Sequence, residues 1–60
     1  MFSQGADVEV YVHLLGAQTA AWHKGVVKAK IEGADAYRVL VEGLSELQIK
    51  ASDLREPRNG

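Results

Sequence analysis

Sixty residues with no cysteine, one proline and 7 basic against 8 acidic side chains (formal net charge −1) exclude a disulfide scaffold and a thiolate metal centre, and argue against a dedicated nucleic-acid binder. So short a chain lies near the lower limit for one unstapled core, which predicts a single domain over residues 1–60 with its core within about 5–56. A hydrophobic content of 47% is too high for disorder, and no stretch reaches the roughly 18 apolar residues of a membrane span or shows a secretory leader pattern, so a nuclear or cytoplasmic, intracellular home is expected.

The first element is "DVEVYVH". Val8, Val10 and Val12 alternate with Asp7, Glu9, Tyr11 and His13, a period of two that defines a half-buried strand. The connection that follows, "HLLGAQTAAW", is unusually apolar for a loop, carrying Leu14, Leu15 and Trp22. Leu, Ala and Gln would favour a short helix there, and Gly16 and Thr19 oppose it. In "WHKGVVKAKI" the alternation returns: Val27, Ala29 and Ile31 form one row, and Lys24, Lys28 and Lys30 the other, with Val26 among them. Gly25 marks a place where that strand must bend or admit another backbone.

"EGAD" supplies turn chemistry through Gly33 and Asp35, and "AYRVLVE" is a third strand with Tyr37, Val39 and Val41 inward. After "GLS" the chain enters "ELQIK", a fourth strand with Leu47 and Ile49 inward. "ASDL" predicts one helical turn, with Ser52 or Asp53 hydrogen-bonded to nearby backbone and Leu54 plugging the core. Pro57 argues against a long final strand. The expected fold is all-β: a small SH3-like barrel of four to five antiparallel strands with a short helical turn near the C-terminus.

In this order, "VEVY…AAWHKGVVKAKI…AYRVLVE…ELQIKASDL" resembles the Tudor and Agenet modules of the chromatin-reader superfamily. The spacing from "VEVY" to the tryptophan is most similar to the Tudor-like repeats of the fragile X protein family, and the resemblance runs over roughly Gly5 to Glu56. It implies a Tudor-type barrel that binds a short peptide, often through a methylated lysine or arginine held in an aromatic cage by cation–π attraction. Trp22 matches the aromatic before the second strand, and Tyr11 faces outward close to it. Val41 stands where the family often carries a third-strand aromatic, and Glu42 and Gly43 stand where Asp or Asn usually follows.

A narrower resemblance joins "AAWHKGVV" and "LQIK" to the plasmid-borne type II dihydrofolate reductases, which carry "AAWQG" and "VQIY". Gln48 and Ile49 match, and Lys50 replaces the tyrosine. That likeness implies a homotetramer around a pore for folate and NADPH, because one barrel of this size offers no cofactor-sized pocket.

Among the remaining residues, His13 and His23 flank the apolar loop without a carboxylate at chelating spacing, so surface histidines are expected rather than a metal pair. Lys24, Lys28 and Lys30, joined by Arg38, form a candidate anion patch for nucleic acid, with Glu9, Glu32, Glu42 and Glu46 near enough to neutralise much of it. No phosphate loop, nucleophile elbow or carboxylate pair is present, so neither catalysis nor a cofactor is expected. The sequence therefore points to a non-catalytic interaction module for a peptide or partner protein, a methylated histone-type tail among them. Its expected contact residues are Trp22, Tyr11, His13, Leu14, Leu15 and His23. The His13–Trp22 loop is also the expected surface for any self-association, since contiguous exposed apolar residues mark contact sites.

Overall fold

The computed structural model describes residues 2–58. Five antiparallel strands, β1 (Asp7–Val12), β2 (Ala21–Lys30), β3 (Ala36–Val41), β4 (Glu46–Lys50) and β5 (Leu54–Arg55), form one sheet in the order β4-β3-β2-β1-β5. The sheet curls into a half-barrel, and a 3-10 turn over Ala51–Asp53 carries the chain from β4 to β5. The all-β class, the strand count and the single helical turn agree with the alternation in the sequence. No helix among the described residues is long and apolar enough to cross a membrane.

The inner face holds the core. Val8 and Val10 of β1, Val27 of β2, Tyr37, Val39 and Val41 of β3, Ile49 of β4 and Leu54 are buried in one cluster, and Val12 and Leu47 pack on its margin. Each buried valine contributes about 1.5–3 kcal/mol relative to its exposed state. Tyr37 is a core aromatic: Phe2 packs on it edge-on at 5.7 Å between centroids, and the Phe2 N–H donates to its hydroxyl at 3.4 Å. Ala29 and Ile31, expected inward with Val27, are only half-buried, because the β2–β3 register shifts between Val27 and Ala29, setting Ala29 opposite Arg38, and the strand ends at Lys30.

β2 is the strand the others depend on. Its first half pairs with β1, from Ala21–Val12 to Val26–Asp7, and its second half with β3, from Gly25–Val41 to Lys30–Tyr37. Gly25 belongs to both ladders and is buried. A Cβ there would come within 2.8 Å of Val39 Cγ1 and 3.1 Å of both Val10 Cγ2 and the Leu40 carbonyl oxygen. The close approach anticipated at this glycine is thus the packing of two valines from either side.

The connection between β1 and β2 is not helical. The Ala17 N–H donates to the Leu14 carbonyl at 3.0 Å, and Gly16 takes φ +88°, which closes a turn that needs a left-handed residue at its third position. The 3-10 turn is closed by the Leu54 N–H on the Ala51 carbonyl. No side-chain hydrogen bond caps it, so Ser52 and Asp53 do not play the capping part expected of them; the backbone satisfies itself. β5 is two residues long, which agrees with the short final strand expected before Pro57.

Gly25→Ala sets a methyl group against Val39, Val10 and the Leu40 carbonyl and so overpacks the core. It is expected to lower unfolding stability by about 1–3 kcal/mol. Urea unfolding followed by Trp22 fluorescence measures this as a lower midpoint at unchanged slope.

Candidate functional site

The outer face of the same strands carries the candidate site. Residues alternate across a strand, so β1 sends Asp7, Glu9 and Tyr11 outward while its valines point in. Antiparallel register then sets Tyr11 opposite Trp22 and Glu9 opposite Lys24. The Tyr11 and Trp22 rings lie 5.1 Å apart between centroids at 50°, two walls of an aromatic corner. Tyr11 keeps 45% of its surface exposed, which leaves a ring open to a ligand.

A cation already lies on the Trp22 wall of this corner. Arg55 lies on β5 beside Glu9, and its guanidinium carbon sits 3.8 Å from the centre of the Trp22 ring system. Arg55 Nε donates to Glu9 Oε1 at 2.6 Å, a short charge-assisted bond between partly buried side chains. The planar guanidinium can stack on the indole while its in-plane N–H meets the carboxylate, a combination an ammonium cannot match. Glu9, Tyr11, Trp22 and Arg55 therefore form one cluster drawn from three strands.

Next to the cluster along the outer face lies an open groove of about 740 Å³. Its charged lining is Asp7, Glu9 and Glu42 against Lys24 and Arg58, and Val26 and Leu40 form part of its apolar floor. Acid predominates, so the groove suits a cationic or apolar segment better than a phosphate chain.

The remaining candidate residues are distributed as follows. His23 follows Trp22 directly, pairs with inward-facing Val10 and so projects to the opposite face from Trp22. The strand therefore does not bring those two side chains together. His13 is exposed and its Nε2 contacts the Ala17 carbonyl at 2.7 Å, bracing the loop turn. Leu14 is half-buried, whereas Leu15 at the tip is fully exposed, at 106%. Of the cation row, Lys24 faces Glu9, Arg38 is paired with Glu46 at 3.0 Å, and Lys30 donates to the Ala34 carbonyl at 2.7 Å with its Nζ 5.4 Å from the Tyr37 ring. Lys28 is exposed at the register shift. Among the described residues no cluster of three or more His, Asp or Glu side chains could hold a metal ion.

Glu9 and Arg55 are the site residues that sequence reasoning did not single out. Glu9 shares the outward row of Tyr11, and that parity was a usable signal. Arg55 lies 46 residues away and reaches the cluster only because β5 returns to β1, which no local pattern encodes.

Comparison with protein-family models, with curated proteins and with solved structures gives no match to this chain.

Removing Glu9 and Arg55 separately and together measures their coupling. A double-mutant cycle with Glu9→Gln and Arg55→Gln is expected to give about 0.5–1 kcal/mol in thermal or urea unfolding, smaller at molar salt. Additive single effects would mean that the pair contributes nothing beyond its two side chains.

Proposed function

We propose that this chain is a non-catalytic interaction module that binds a short peptide or partner protein through the Tyr11–Trp22 corner, taking a cationic side chain such as methylated lysine or arginine. The observation that carries this reading is the Arg55 guanidinium seated on Trp22. The indole face accepts a cation in this molecule, with Tyr11 as a second wall and Glu9 as counter-charge. The resemblance to Tudor-type modules points the same way, through Trp22 at the head of β2.

Two aromatics make an incomplete cage. Phe2 and Tyr37, the other two aromatics of the chain, are packed on each other at the core. A methylated cation would therefore be held by two rings and by Glu9, with the acidic groove receiving the flanking residues of the peptide. Leu15 and Leu14 would add apolar contact where the loop rises next to β1 and β2.

Because Arg55 lies on a face of Trp22, a ligand cation that takes that face has to displace it. Titrations of unmodified, trimethyl-lysine and dimethyl-arginine peptides, followed by Trp22 fluorescence, test this. The modified peptides are expected to bind at least several-fold tighter than the unmodified one, in line with a cation–π difference of about 0.5–2 kcal/mol. Trp22→Ala, which removes the chain's one tryptophan and is therefore titrated by calorimetry, is expected to weaken binding roughly tenfold or more while the circular dichroism stays native. Arg55→Gln is expected to tighten binding, since the competing guanidinium is gone. Equal affinities for all peptides, or a Trp22→Ala chain that no longer folds, would overturn the assignment.

A further inference from the structure

β4 closes one side of the sheet and is bare on its other side. Among the described residues β3 is its only strand partner, and β5, which could have closed the barrel, pairs with β1 instead. The Ala51 N–H donates to the Asp35 carbonyl at 2.9 Å, directly beyond the pairs Ile49–Tyr37 and Leu47–Val39. An antiparallel ladder alternates, so the odd-numbered residues of β4 direct their backbone groups to β3. Glu46, Gln48 and Lys50 direct theirs to the open edge.

The side chains on that edge are antisymmetric about its middle residue. "ELQIK" places Glu46 two residues before Gln48 and Lys50 two residues after it, with Leu47 and Ile49 between them on the inner face. We propose that β4 pairs antiparallel with β4 of a second copy of this chain, about a two-fold axis at Gln48. In this register Gln48 meets its own counterpart, each Glu46 lies opposite a Lys50, and each Leu47 lies opposite an Ile49. Opposed unlike charges are the favourable cross-strand arrangement, and a parallel alignment would set like against like. The pairing forms about six backbone hydrogen bonds, all from groups that β3 leaves unused. It covers an open edge, which is otherwise a liability for uncontrolled strand addition. Lys50 makes no ion pair among the described residues, and Glu46 has an exposed partner in Arg38 whose loss is of small consequence.

The test is the solution mass by light scattering from low micromolar to millimolar concentration. A dimer of twice the 6.5 kDa monomer mass is expected at the upper end. Gln48→Pro removes an N–H that faces the open edge and leaves the β3 ladder intact, so it is expected to weaken dimerisation at least tenfold with native circular dichroism. Glu46→Lys and Lys50→Glu test the register without relying on that variant. Each alone is expected to be monomeric, because its own copies repel, whereas an equimolar mixture of the two is expected to dimerise. A chain that is monomeric at millimolar concentration overturns the proposal. A dimer that survives Gln48→Pro, or a mixture no more associated than its components, also overturns it and moves the contact elsewhere, with Leu15 the next surface to examine.

Discussion

The absence of a side chain at Gly25 is the constraint on which the rest of this barrel depends. β2 has to hydrogen-bond β1 with one half and β3 with the other, and Gly25 sits where the two ladders overlap. There Val10 and Val39 close in from the two neighbouring strands to a distance that no Cβ could share. With that approach the sheet curls tightly enough for Val8, Val10, Val27, Val39 and Val41 to meet in one cluster, all of them at or below 2% exposure. So small a chain has few other ways to exclude water from a core.

The same curl decides what the outer face presents. Residues that alternate with the core valines fall into cross-strand rows: Asp7 with Val26, Glu9 with Lys24, and Tyr11 with Trp22. β5 then adds Arg55 at the end of the Glu9 row, and its guanidinium leans onto the indole in the next row. The cluster serves two purposes. It fastens a two-residue strand that has little ladder of its own, and it holds a cation against an aromatic face. Under the proposed function, folding and recognition compete for one ring. A module of this kind would gain selectivity from that competition, since only a cation that stacks better than an internal arginine displaces it.

Most of the fold is legible from the sequence because strand periodicity is local. Val8 and Val10, Val39 and Val41, and Leu47 and Ile49 declare their inner face by spacing alone, and the bounds of β4 coincide with "ELQIK". The same parity sends Trp22 and His23 to opposite faces of β2, as it does any two neighbours on a strand. Ile31 departs from its row because a register shift near Lys28 is a property of two strands together. The Glu9–Arg55 bond is likewise invisible in a local pattern, since it depends on where the last strand docks. Leu15 had two physical outcomes open to it, covering the barrel end or standing in solvent, and the turn at Gly16 puts it in solvent.

The occupied aromatic corner is tested most directly by the magnetic environment of Arg55 itself. A proton lying over an indole face is shifted upfield by the ring current, so the Arg55 side-chain resonances of the free protein should be displaced from their ordinary positions. Addition of a trimethyl-lysine peptide should return them toward those positions in step with the change at Trp22. Arg55 resonances that are unshifted in the free protein, or that stay in place while the peptide binds and Trp22 responds, would contradict the account.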